Sequence, residues 1–242
     1  MNFEGLTPAG LLLRSQWREP CRAPTGFLTR HGLCGPLPAD MHADLILICH
    51  APTEATRRGA FPTDDRVDPR GLACAAAMAA SVAGADHAWC APSVAAGQTA
   101  VALGLVASQE PALRDCDVGH WAGRRAVDLA RAEPEAFAQW MADPSAAPHG
   151  GEALVDVIER VGGWLDRCRA TPGTTVAVTH VSVIRAAVVA AVDSTPRSFW
   201  HLDIGPLSRT ALRSDGRRWA LRSLTEDPRS AETWSTSSQT DT

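Results

Sequence analysis

The chain has 242 residues and contains no lysine and no tyrosine, so all 23 of its basic residues are arginines. Without lysine there can be no Schiff base, no aldimine to pyridoxal phosphate and no phosphate-loop lysine; without tyrosine there is no phenolic proton relay. Any anion must be held by arginine, histidine, backbone N–H groups or a metal. No apolar run approaches the roughly 20 residues that span a bilayer, and the first residues lack the charged-then-apolar order of a signal peptide. No membrane association is therefore expected. No basic cluster stands out against a formal charge of −4, so nucleic acid is not an expected partner. There is no C-x-x-C pair: the seven cysteines (Cys21, Cys34, Cys49, Cys74, Cys90, Cys116 and Cys168) are odd in number and scattered, which predicts a reduced, cytoplasmic protein.

The chain is 45% hydrophobic, enough at this length for one globular domain with a sizeable core. Residues 1–40 carry Pro20, Pro24, Pro36 and Pro38 with little periodicity and read as an extension that wraps the domain or is loosely ordered. Residues 225–242 are rich in Ser, Thr, Glu and Asp and read as a disordered polar tail. The domain proper is placed at 41–224. Within it, strand-like DLILIC (44–49) precedes a helix predicted over Pro69–Ala83 with Asp68 as cap. A strand over Asp86–Cys90 is followed by a helix through QTAVALGLVAS, an irregular stretch LRDCDVGHWAG and helical DLARAEPEAFAQWM. Glu152–Arg169 has an amphipathic pattern, with Leu154, Val155, Ile158, Val161, Trp164 and Leu165 sharing a face. TTVAVTH reads as a buried strand leading into the helix VSVIRAAVVAAV, and Leu207–Leu224 as a hairpin turning at Asp215-Gly216. Alternating strands and helices predict an α/β three-layer sandwich with a mainly parallel central sheet flanked by helices. In such sheets the site lies at the carboxyl ends of the strands.

Two histidines fall at that location. His50 ends LILIC and His180 ends TTVAVT, and His180 precedes a helix whose first amides could hold an anion. From about Asp44 to Leu224 the chain resembles the histidine phosphatase superfamily, the phosphoglycerate-mutase-like group. The resemblance rests on ordered landmarks: LILICHAPTEATRRGAFPTDD with Thr53 three residues after His50, CAPSVAAGQTA with Gln98, Thr99 and Ala100, then LRDCDVGHWAG, HGGEALVDVIERV and VAVTHVSVIRAA. It implies that His50 is a phosphoryl acceptor, His180 the second pocket histidine and Asp115 the acid that protonates the leaving group.

The chain departs from the family pattern at its arginines. Cys49 stands where the family has the arginine before the first histidine, Ala51 where it has glycine, Ala95 at the pocket arginine and Ala60 at a further arginine ten residues past the histidine. Two lost bidentate contacts, on the order of 1.5–3 kcal/mol each and more in a charged transition state, make ordinary phosphomonoester hydrolysis expensive. The reading favoured by these substitutions is an enzyme repurposed for acid/base chemistry, such as elimination, isomerisation or cyclisation of a small organic metabolite, as in specialised biosynthesis. It would use His50, His180 and Asp115 as catalytic groups. Cys49, Thr53, Arg57, Ala95 and His120 are the expected substrate contacts. The alternatives are a phosphohydrolase acting through phosphohistidine on His50, with other cations such as Arg57, Arg58 or Arg185 compensating, and a non-catalytic binding protein. Glu152 reads either as a helix-capping carboxylate or as a substrate contact. No metal or cofactor is expected; the expected partner is a small-molecule substrate, with a homodimer as the candidate assembly.

Overall fold

A computed structural model describes residues 42–226. The extension expected over 1–40, and the tail beyond Glu226, lie outside the described residues. In chain order the elements are β1 (Ala43–Cys49), α1 (Glu54–Arg58), α2 (Pro69–Ala77), β2 (His87–Cys90), α3 (Val94–Ala102), β3 (Ser108–Gln109), α4 (Ala126–Ala132), α5 (Pro134–Ala142), α6 (Leu154–Arg169), β4 (Gly173–Thr179), α7 (Val181–Ala191), β5 (Arg209–Ser214) and β6 (Trp219–Thr225).

The six strands form one sheet in the order β3-β2-β4-β1-β5-β6. β3, β2, β4 and β1 run parallel, β5 is antiparallel to β1, and β6 closes the hairpin. Helices flank the sheet, giving the expected α/β architecture. β1 and β4 are central, and residues 45–49 and 175–179 are almost wholly buried. Burial on both faces explains why they read as continuous apolar runs rather than alternating ones.

Local chemistry sets the element boundaries. Asp68 caps α2, accepting from Gly71 N at 2.7 Å, and Pro69 sits at its first position, where its missing N–H costs nothing. The helix expected to reach Ala83 stops at Ala77 and gives way to a 3₁₀ turn over Ala79–Val82. α3 begins earlier than the QTAVALGLVAS pattern suggests. Ser93 caps it, and it ends before Gly104, whose φ of +73° suits glycine. Pro134 splits the expected DLARAEPEAFAQWM helix into α4 and α5. On α6 the buried stripe is Leu154, Val157, Val161, Trp164, Leu165 and Cys168; Val155 and Ile158, expected on that face, are half-buried.

Above the carboxyl edge of the sheet, two loops interlock at backbone distance. Glu152 N donates to Asp117 O at 2.7 Å, and His120 N donates to His149 O at 3.1 Å. A Cβ on Gly151 would fall 2.1 Å from Asp117 O, and one on Gly119 would fall 2.0 Å from His149 O. Only glycine permits this approach, which places the 115–118 loop. Gly151→Ala is expected to cost about 3 kcal/mol, the upper part of the range for forced overpacking. Urea unfolding checks it, and a loss below about 0.5 kcal/mol would show that the loops can separate freely.

Candidate active site

β1 and β4 pair in parallel with Cys49 opposite Thr179, so the next residue on each strand, His50 and His180, leaves the sheet at the same level. Their ring centroids are 5.0 Å apart, close to the spacing between adjacent strands. The backbone stays paired through the exit, with His50 N donating to Thr179 O at 2.8 Å. β2 lies on the other side of β4, with Cys90 opposite Val178, which brings Ser93 up beside His180. Both imidazoles are buried, and both border a cavity of about 510 Å³.

The hydrogen bond made by His50 Nδ1 fixes its tautomer. Nδ1 lies 2.8 Å from Ala51 O, and a carbonyl can only accept, so Nδ1 carries the proton and Nε2 keeps its lone pair. Burial pushes the His50 pKa down to about 4, and the neighbouring His180 adds to the shift. At neutral pH the ring is neutral, with the Nε2 lone pair unprotonated. The peptide after it is braced by the Gln-Thr-Ala segment: Ala51 N donates to Thr99 Oγ1 at 3.0 Å, and Thr99 Oγ1 donates to Ala95 O at 2.7 Å. Gln98 Oε1 accepts from Val67 N at 2.9 Å, tying the 51–68 loop to α3.

His180 Nε2 lies 3.1 Å from Ser93 Oγ, and its Nδ1 lies 3.4 Å from Asp115 Oδ2. Asp115 Oδ1 accepts from Cys116 N at 2.8 Å and from the Ser182 hydroxyl. His50, His180, Asp115, Thr53 and Ala95 therefore border one cavity. Thr53 caps α1 there, and Ala95 is part of the wall.

Three expected contacts are not in the lining. Arg57 is exposed and pairs at 2.6 Å with Asp68, the residue that caps α2, and not with the cavity. His120 donates from Nδ1 to His149 O at 2.7 Å and places Nε2 3.3 Å from Glu133, away from the cavity. Cys49 is buried in the sheet, and burial pushes its thiol up to about 12, so it is neither a thiolate nor a wall residue. Glu152 neither caps α6 nor lines the cavity; it pairs with Arg160 through both oxygens, at 2.9 and 2.8 Å, and with Arg114. Sequence reasoning missed the cavity-lining serines Ser93 and Ser182. Ser93 had one visible signal, its place between a strand end and a helix.

The guanidiniums on the wall belong to Arg114 and Arg185. Arg114 is engaged by Glu152. Arg185, from α7, donates through Nε to Leu202 O at 2.8 Å and lies over the Phe199 ring. Its remaining N–H groups give the cavity a half-buried cation. The rest of the wall includes Phe61, Val118, Trp140, Leu154, Phe199 and Trp200 and is mostly apolar. Among the described residues no group of three His, Cys, Asp or Glu side chains is placed to hold a metal ion.

The site is thus two histidines and a carboxylate at the carboxyl edge of a mainly parallel α/β sheet. The chain belongs to the histidine phosphatase superfamily (branch 1), whose family model matches residues 45–227. It is 30% identical over 185 residues to a bifunctional protein of Mycobacterium tuberculosis, covering 71% of this chain and 51% of that protein, so it spans about half the length of the curated relative. It is similar to the solved structure of Mycobacterial hydrolase 1, with a TM-score of 0.69 and 25% identity over 75% of this chain and 97% of that one. A mycobacterial glucosyl-3-phosphoglycerate phosphatase in complex with VO3 gives a TM-score of 0.66 and 25% identity, covering 74% and 97% of the two chains.

The His50 environment makes a pH prediction. An unfolded histidine titrates near 6.5 and folded His50 near 4, so between these values the unfolded chain binds the extra proton. This residue therefore withdraws stability as the pH falls from 6.5 to 4, and nothing further below that. Imidazole ¹⁵N NMR at pH 6 is expected to show a neutral His50 protonated on Nδ1; a midpoint near 6.5 would contradict the burial argument.

Proposed function

We propose that the chain is a phosphomonoester hydrolase that passes a phosphoryl group through Nε2 of His50. The observation that carries this reading is the state of His50: its proton is held on Nδ1 by Ala51 O, and its low pKa leaves Nε2 free to attack at neutral pH. Family membership and similarity to a phosphatase in complex with VO3 support the same chemistry. Nε2 attacks phosphorus, the ester oxygen leaves with a proton drawn from the Asp115–His180 pair, and water then cleaves the phosphohistidine to inorganic phosphate, returning a proton to that pair.

The clamp differs from the arginine clamp of the family. Cys49, Ala60 and Ala95 supply no charge, so the phosphoryl oxygens fall to His180, the Ser93 hydroxyl, Arg185 and the first amides of α7, a helix that no side chain caps. Losing two bidentate arginine contacts is expected to cost on the order of 10³-fold or more in rate. A slow hydrolase with an apolar pocket is the result.

A second reading has one observation in its favour. Ala95 is buried in a largely apolar wall, so the pocket also suits a neutral metabolite undergoing acid/base chemistry between His50, His180 and Asp115. Para-nitrophenyl phosphate separates the two. Phosphatase action predicts slow turnover, an acid-labile phosphate trapped on His50, at least 10³-fold loss in His50→Ala and a gain of tenfold or more in Ala95→Arg. Absence of both turnover and phosphohistidine in the wild type and in Ala95→Arg would sink it in favour of the acid/base reading.

A further inference from the structure

We propose that Ser93, His180 and Asp115 form a second nucleophilic centre in the same cavity, a serine-hydrolase relay that cleaves carboxylic esters with an apolar acyl group. The three residues come from separate turns: the β2–α3 turn, the loop before the Gly119–Trp121 turn, and the β4–α7 turn. Ser93 Oγ is 3.1 Å from His180 Nε2, within the reach of a nucleophile and its base. His180 Nδ1 is 3.4 Å from Asp115 Oδ2, a separation that tightens when a substrate fills such sites.

The protons can be assigned without conflict. Ser93 Oγ accepts from Ala96 N at 3.3 Å as the cap of α3, so its own hydrogen is free to point at His180 Nε2. With Nε2 as the acceptor, the ring's proton lies on Nδ1. That atom is buried and makes no hydrogen bond in this structure; Asp115 Oδ2 lies 3.4 Å from it, close enough to pair after a small rotation of either side chain. The other oxygen, Oδ1, is pinned by Cys116 N and Ser182, which fixes the carboxylate. A cap alone needs only the lone pairs of Ser93; the contact of its hydrogen with a histidine backed by a carboxylate is unexplained by capping. His50 takes no part in this relay, because the ring nitrogen in contact with Ser93 Oγ is His180 Nε2.

The reaction balances with water as the only co-reactant. Ser93 Oγ bonds to the ester carbonyl carbon while its proton passes to His180 Nε2. The C–O bond to the alcohol then breaks, and the alcohol leaves with that proton. Water attacks the acyl-serine, gives a proton to Nε2, and the carboxylic acid departs as the proton returns to Ser93. The opening amides of α7, which borders the cavity, are available to the oxyanion. Phe61, Trp140, Leu154, Phe199 and Trp200 form a wall suited to an acyl chain.

The inference does not depend on phosphoryl transfer at His50, and its test reads a different residue. Wild-type protein is incubated with para-nitrophenyl butyrate and, separately, with a fluorophosphonate probe, and the adducts are mapped by peptide mass spectrometry. Ester turnover with the butyryl and phosphonyl groups on Ser93 is expected. Ser93→Ala should lose at least 10³-fold in ester turnover. Ser93→Asn, which keeps a capping side chain for α3, should lose as much while retaining the wild-type melting temperature. Asp115→Asn should lose about 10²-fold or more. Overturning results are no ester turnover and no adduct in the wild type, an adduct on His50 instead of Ser93, or undiminished turnover in a folded Ser93→Asn.

Discussion

The parallel pairing of β1 with β4, with Cys49 opposite Thr179, sets the geometry on which the rest of the site depends. Two residues that leave adjacent strands at the same level emerge on the same side, separated by about one inter-strand spacing. His50 and His180 therefore meet at 5.0 Å although 130 positions separate them in the chain. Their proximity also shapes their chemistry. Burial first and the neighbouring imidazole second disfavour a positive charge on His50, whose ring is turned onto Ala51 O. The next strand outward, β2, extends the same logic and delivers Ser93 to the far side of His180.

A second constraint holds the acid in place. Asp115 sits in a loop with little regular structure, and its position is defined by what surrounds it. Gly119 and Gly151 admit backbone contact between the 115–121 and 149–152 segments, and Glu152 binds Arg114 and Arg160 beneath them. Trp121 is fully buried among Phe61, Phe137, Trp140 and His149, while its indole N–H and the Arg124 guanidinium hold Glu133. These contacts pull the Glu133 carboxyl down to about 2, and His120 is drawn to the same anchor. The arginines of the domain work mainly in this way. Arg57, Arg114, Arg124, Arg160 and Arg213 each pair with a carboxylate, and Arg185 alone brings a wall-lining guanidinium that has no carboxylate partner among the ion pairs of the described residues.

Much of this was legible from residue order. The runs DLILIC and TTVAVT are buried on both faces, so their composition announces central parallel strands, and a histidine closing each points to the functional edge. Asp215-Gly216 marked the hairpin. Less legible were the short pieces, α1 and β3, whose few residues carry no periodicity, and the break at Glu133-Pro134, where helical composition continues across a proline. At the site, the three expected contacts that lie outside the lining have a common cause. Arg57, His120 and Cys49 lie near the motifs in sequence, but nearness along a chain does not say which way a side chain turns. Carboxylates hold Arg57 and His120 elsewhere, and the two-residue alternation of a strand turns Cys49 away from the cavity.

By itself the sequence determined the α/β class, the order of its central elements, the two strand-end histidines and the absence of arginine at positions 49, 60 and 95. These are properties of hydrophobic pattern and residue identity, and both are written along the chain. Only the tertiary structure decided that Ser93 and Asp115 flank opposite nitrogens of His180, that His50 carries its proton on Nδ1, and that of the two guanidiniums at the wall Arg114 is paired with Glu152 and Arg185 is in no ion pair among the described residues. Those outcomes depend on strand register, burial and hydrogen-bond direction between residues distant in sequence, which exist only once the sheet has assembled.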